Sequence, residues 1–270
     1  SMLYYCEKKI LDFFNIRKDS KNKKIIDSFD EYLEKKQKTL GFTLSSEQQK
    51  AVELINSGEK TLFLIGYAGT GKSTSSRAIL ELLEEIVSYD DIIAIALSGI
   101  ASQRISDTTG YNASTIQSLL VKHKEKDFFP YKVILLDEAS MVNSVTFSQI
   151  ISKISDDTIF IIVGDDGQLP AIGAGNILAD SIKYELAPIC KLTKIYRQNE
   201  NQAIAVIAND IRKGELPNYK EEYEDFKFVD VSIGNYYSMK NSLSQNEFSD
   251  MRGENSDYIL NNILNIASNY

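Results

Sequence analysis

Apolar residues along this chain gather into short unbroken runs: "TLFLI" at 61–65, "IIAIAL" at 92–97, "KVILL" at 132–136 and "TIFIIV" at 158–163. Each is rich in branched side chains and too short for a buried helix, which predicts a strand covered on both faces. Between the runs the period lengthens. From Ser73 to Val87, Ala78, Ile79, Leu82, Leu83 and Ile86 fall on one side of a helix. Strands alternating with helices predict an α/β protein with a parallel sheet. Residues 3–40 read as two polar helices, the second carrying Ile25, Ile26, Phe29, Tyr32 and Leu33 at helical spacing. Beyond Lys213-Gly214 the chain turns acidic, and 232–257, rich in Ser, Asn, Gly and Tyr, reads as a loop. "YILNNILNIASNY" closes the chain as an uncapped helix.

Composition changes this picture little. The 270 residues are 43% hydrophobic and 25% charged, the profile of a globular protein with a sizeable core. No apolar run approaches the ~20 residues that span a bilayer, and no signal peptide opens the chain. Cys6 and Cys190 form no disulfide or metal-ligand framework, and His123 is the single histidine. The expected location is cytoplasmic. A net charge of −8 argues against bulk electrostatic coating of nucleic acid, although residues 1–40 are net basic and 219–257 net acidic.

Candidate chemistry begins where the first strand ends. Gly66-Tyr-Ala68-Gly69-Thr70-Gly71-Lys72-Ser73 fits G-x-x-x-x-G-K-[ST], between a strand and an amphipathic helix that continues with Thr74. Glycines there let successive backbone N–H groups turn inward around a phosphate, and the helix N-terminus adds partial positive charge. Lys72 would reach the β- and γ-phosphates of a nucleotide, and the Ser73 hydroxyl would ligate Mg²⁺. "VILLDEAS" (133–140) ends a second strand in two carboxylates. In a parallel sheet that tip faces the crevice holding the phosphate loop. Asp137 would hold Mg²⁺ through water, and Glu138 would orient and deprotonate an attacking water. The pattern predicts a P-loop NTPase fold and hydrolysis of a nucleoside triphosphate.

Three further segments fix a resemblance: "TLSSEQQKAVELI" (43–55), "GDDGQLP" (164–170) and "KLTKIYRQ" (191–198). With the two motifs above, from about Leu44 to Pro217, the chain resembles superfamily 1 DNA helicases of the RecD-like and Dda-like group, which move 5′ to 3′ on single-stranded DNA. The resemblance implies a RecA-like parallel sheet flanked by helices, with ATP, Mg²⁺ and single-stranded DNA as ligands, in repair, recombination or replication. It implies that Gln48 reads the adenine edge. Asp165 and Gln168 belong to the third motif, where Gln168 senses the γ-phosphate. Arg197 stabilises charge in the transition state, and Tyr196 stacks on the base.

"AIALSGIASQRISDTTGYNASTIQSLL" (94–120) resembles the family's motif Ia region. Ser98 and Gly99, at a strand end and helix start, can offer donors to a DNA phosphate. Ser114 and Thr115 open the next helix, where they either do the same or cap it. The sequence departs from the family at Leu97 (usually Pro), Ile100 (usually Arg) and Gln117 (usually His). The insert at about 121–132, "VKHKEKDFFPYK", is basic and aromatic. It is open to two readings: single-strand stacking, or a solvated loop whose aromatics pack on the core.

The expected organisation is an N-terminal helical segment (1–40), a RecA-like domain 1A (41–217) with a short 1B insert, and an acidic linker (218–270) leading into a truncated second domain. Nothing after Pro217 resembles the second RecA-like domain that such motors need. With its Ser1-Met2 start, the chain reads as a piece of a longer helicase, able to bind ATP but not to unwind DNA alone. A P-loop ATPase acting as a regulatory switch is the alternative. A small-molecule kinase is disfavoured, because the carboxylate pair and sensor glutamine suit attack by water.

Overall fold

The computed structural model describes residues 2–41, 43–67, 69–194, and the isolated positions 207, 210, 211, 214 and 215. The chain divides into two compact units, 1–198 and 199–270, and the first holds every element named below. The expected linker at 218–270 and the closing helix lie outside the described residues, as do Ala68, Tyr196 and Arg197.

Two helices open the chain, α1 (Met2–Lys18) and α2 (Phe29–Leu40), followed by α3 (Ser46–Asn56). Then come β1 (Thr61–Gly66), α4 (Lys72–Leu83), β2 (Ile92–Ala96), α5 (Gly99–Thr109), β3 (Ala113–Thr115) and α6 (Ile116–Lys122). β4 (Val133–Leu136), α7 (Ser144–Ile151), β5 (Ile159–Gly164), α8 (Ile177–Lys183) and β6 (Ile189–Leu192) complete the unit. The six strands form one sheet in the order β3-β2-β4-β5-β1-β6, with every adjacent pair parallel. The α/β P-loop fold expected from the pattern is therefore present.

Strand residues alternate between two cores, as a period of two demands. Phe63, Ile65, Ile134, Leu136, Phe160 and Ile162 pack on one face with Ile10, Phe14 and Phe147 from α1 and α7. Leu62, Leu64, Leu135, Ile161 and Val163 pack on the other with Ile55, Ile79 and Leu83 from α3 and α4. All of β1, β2, β4 and β5 is buried, which accounts for their uninterrupted apolar runs.

Two expectations are corrected. The helix after the phosphate loop stops at Leu83 rather than Val87, and Ile86 stands 50% exposed in the turn beyond it. The second N-terminal helix starts at Phe29. Ile25 and Ile26 precede it but pack on the same core, held by Asn56, whose carbonyl and side chain bond to Ile25 and Ile26. In the insert, His123 and Phe129 are buried and Tyr131 is half-buried, whereas Phe128 and Lys122, Lys124 and Lys126 face out. The aromatics thus mostly pack inward, and the lysines form the solvated side.

Candidate active site

Because all six strands are parallel, the loops after β1, β2, β4, β5 and β6 leave from one edge of the sheet. Ligands of open α/β sheets bind in that crevice. β1 lies between β5 and β6, with β4 beyond β5, so the phosphate loop has the β5 tip on one flank and the exit of β6 on the other.

The loop from Gly66 to Gly71 is shaped by its glycines. A Cβ on Gly66 would strike the Thr70 hydroxyl and come within 3.0 Å of Leu192 Cβ and its carbonyl oxygen. Gly69 and Gly71 have φ of 84° and 85°, the left-handed region that side chains disfavour. Thr70 is buried, its hydroxyl donating to the Tyr67 carbonyl at 2.8 Å. α4 starts at Lys72, so its free N–H groups face the loop, and Ser73 and Thr74 stand half-buried in its first turn. Lys72 Nζ folds back to donate to the carbonyls of Gly66 (2.6 Å) and Tyr67 (3.0 Å). Burial lowers its pKa, against the upward pull of Asp165, Glu138 and Asp137. Those three carboxylates surround the lysine electrostatically although they come from two other strands.

Asp137 leaves β4 with its amide bonded to Ile95 O at 2.8 Å. Burial, with the neighbouring Glu138 charge, raises its pKa; the Glu138 backbone amide, and then Lys72 and Arg104, oppose this without cancelling it. Glu138 has φ 53°, a left-handed conformation that costs a non-glycine residue about 1–2 kcal/mol. That turn swings its carboxylate towards the next loop, where Gln168 Nε2 donates to Glu138 Oε2 at 3.4 Å. The Ser140 hydroxyl donates to Gln168 Oε1 at 2.8 Å, which fixes the amide with its NH₂ towards the carboxylate. Asp165 is buried and accepts the Gly167 amide at 2.9 Å.

Gln48 is buried rather than presented to a base. With Ser45 it forms a capping box, its Oε1 accepting the Ser45 amide at 2.9 Å and its backbone N–H donating to Ser45 Oγ at 3.2 Å. Its Nε2 reaches Gly71 O at 3.5 Å. On the DNA side, Ser98 and Thr115 are N-caps, accepting from the amides of Ala101 and Ser118. Gly99 is exposed at the start of α5, and Ser114 lies in β3, its hydroxyl directed to Thr115 O at 3.2 Å.

A profile of the AAA domain family matches residues 43–232. The chain belongs to that family. It is 30% identical over 185 residues to the ATP-dependent RecD2 DNA helicase of Deinococcus radiodurans, across 66% of this chain and 25% of the helicase. It is 26% identical over 205 residues to the RecBCD enzyme subunit RecD of Mycolicibacterium smegmatis, across 64% of this chain and 37% of that subunit. Among solved structures, the Pif1 helicase from Candida albicans is 24% identical with a TM-score of 0.47, across 66% of this chain and 46% of that one. The RecD-like resemblance carried by the motifs is borne out. The chain spans between about a quarter and somewhat over a third of these curated relatives.

Within this AAA domain, two residues that the motifs did not single out join the site. Arg104, exposed on α5, is close enough to depress Lys72 and to favour the ionised form of Asp137. Ser140 was visible in "DEAS", but its bond to Gln168 depends on the β4 and β5 tips being neighbours.

Proposed function

We propose that this chain binds ATP with Mg²⁺ and hydrolyses it as one half of a DNA helicase motor that tracks 5′ to 3′ on single-stranded DNA. The observation that carries the reading is the convergence of Lys72, Asp137, Glu138 and Asp165 at one sheet edge, with Gln168 bonded to the catalytic carboxylate. The phosphate loop and the α4 N-terminus cradle the phosphates, and Lys72 exchanges its two carbonyl partners for phosphate oxygens. Ser73 and Asp137 would hold Mg²⁺. A carboxylate left by burial with a raised pKa suits that ion, which supplies charge to neutralise the triphosphate. Glu138 orients and deprotonates the attacking water. Gln168, bonded to that carboxylate, would register loss of the γ-phosphate, and the helicase resemblance implies base and transition-state roles for Tyr196 and Arg197, which lie outside the described residues. For Gln48 to reach adenine, its carboxamide must leave the capping box.

The DNA-facing reading is supported by what lies beyond the strand tips. Ile100 (85% exposed), Leu169 (87%) and Ile172 (97%) leave large apolar side chains open at the same edge as Ser98, Gly99, Ser114 and Thr115. The deciding measurement is ATP turnover with and without a single-stranded oligonucleotide. Stimulation that vanishes in Lys72→Ala and Glu138→Gln supports the motor; basal turnover with no oligonucleotide response supports a regulatory switch instead.

A further inference from the structure

The exit of β6 is tied to the first turn of α3 by a cluster of bonds that none of the nucleotide motifs requires. Glu47 Oε2 accepts the backbone amides of Thr193 (2.8 Å) and Lys194 (3.3 Å), and Glu47 Oε1 accepts the Thr193 hydroxyl (2.5 Å). From the other direction, Cys190 Sγ donates to the Glu47 carbonyl at 3.1 Å. One residue of α3 is thus held by both its side chain and its main chain to a strand more than 140 residues away. Burial alone would raise the Glu47 carboxyl pKa, but the Thr193 hydroxyl and the two amides outweigh it and hold the group below its usual range. A carboxylate gathering two amides and a hydroxyl forms charge-assisted bonds, about twice as strong as neutral ones.

The position of this cluster matters more than its strength. Leu192 pairs in register with Gly66, the first glycine of the phosphate loop, so Thr193 leaves the sheet beside the nucleotide site. Gln48, the residue after Glu47, reaches Gly71 at the far end of the same loop. The first turn of α3 therefore spans from the exit of β6 to the phosphate loop. Lys191, bonded to Asp166 at 2.7 Å, pins the same strand end to the loop after β5.

We infer that Glu47 is a positioning residue for nucleotide recognition, fixing the first turn of α3 and the exit of β6 to each other so that both meet one bound nucleotide. This rests on the ATPase reading above and extends it to a residue that touches neither phosphate nor base. An ordinary first-turn glutamate would favour the helix through its dipole, and losing it would lower stability without altering which nucleotide is preferred.

The test uses the full chain and fluorescent N-methylanthraniloyl-ATP and -GTP. Glu47→Ala is expected to weaken ATP-analogue binding about tenfold, the order of one charge-assisted hydrogen bond, and to shrink the ATP-over-GTP preference. Thr193→Val, which breaks the same link from the other side, should move both quantities in the same direction, and Glu47→Gln should retain part of the wild-type values. In the Gln48→Ala background, Glu47→Ala should have a smaller effect on base preference than in the wild type, because the two act as a unit. If Glu47→Ala and Thr193→Val lower thermal stability but leave both affinities unchanged, the inference is overturned. If Gln48→Ala alone does not alter base preference, the adenine-reading role falls, while a weakened ATP affinity in Glu47→Ala still upholds the positioning role.

Discussion

Glu138 combines a left-handed backbone with a side-chain partner on the neighbouring loop, Gln168, and both bear on the catalytic role proposed for it. Its φ of 53° stores about 1–2 kcal/mol in a place where glycine would store none. Glu138→Gly is therefore expected to raise stability by about 1 kcal/mol, seen as a higher denaturation midpoint, while ATP turnover falls by about 10²–10⁴-fold. A loss of stability would mean that the left-handed turn is relaxed and that the strain assignment is wrong. Asp137 offers a second handle at this scale. Its pKa lies above the ordinary aspartate value of 3.8, and under the Mg²⁺ role proposed above the ion would compete with the proton for this carboxylate. Mg²⁺-dependent nucleotide affinity should thus weaken, as pH falls, at a higher pH than an unperturbed aspartate would give. Asp137→Asn should abolish that pH dependence along with most of the Mg²⁺ requirement, as titrations at fixed nucleotide would read.

At the scale of elements, α1 is more than the polar helix its pattern suggested. Phe14 is buried between Phe63 and Phe147, with ring centroids 5.5 and 6.1 Å away. Arg17 is buried as well, donating to the Thr61 hydroxyl and to the carbonyls of Lys60, Ser155, Asp156 and Thr158. Burial pulls its pKa down to about 10, against the charges of Asp156 and Asp157. These contacts gather at the start of β1 and β5, the edge opposite the phosphate loop. Phe14→Ala should therefore cost about 3–5 kcal/mol in denaturant unfolding with little change in nucleotide affinity; a loss of affinity at unchanged stability would refute the separation. The same contrast explains what was legible beforehand. β1, β2, β4 and β5 are paired on both sides and covered on both faces, so their apolar runs announced them. β3 ("AST") and β6 ("ICKL") are the edge strands among the described residues, short and only partly buried, and left no such run. The loop glycines, Lys72, Asp137, Glu138 and Gln168 were readable because their chemistry is local. The Glu47–Thr193 link was not, because it exists only once α3 and β6 lie side by side. The inward turn of Gln48 had a local signal, the Ser45-x-x-Gln48 capping box, which the expected adenine contact overshadowed.

For the whole molecule, the net charge of −8 works against the hold on single-stranded DNA proposed above. The acidic total includes residues beyond the first unit, and the exposed cations on the segments read as DNA-facing are Arg104 on α5 and Lys122, Lys124 and Lys126 on the insert. Lys153 donates to the carbonyls of Lys124 and Lys126, which orders that insert while adding its own charge. Contacts with about three phosphates would give single-strand affinity a log–log salt slope of about −2, since each phosphate neutralised contributes about −0.7. Between 50 and 200 mM salt, that slope predicts a loss of about 15-fold in binding of a fluorescent oligonucleotide. Arg104→Ala should lower the slope by about one phosphate equivalent, as would charge removal at a true backbone contact, and should do so equally for all oligonucleotide sequences. A slope near zero in the wild-type chain would mean that no phosphates are held, leaving the ATP site with a partner other than DNA. A normal slope that Arg104→Ala leaves untouched would move the DNA path off α5 and onto the insert, where Lys124→Ala would then carry the effect.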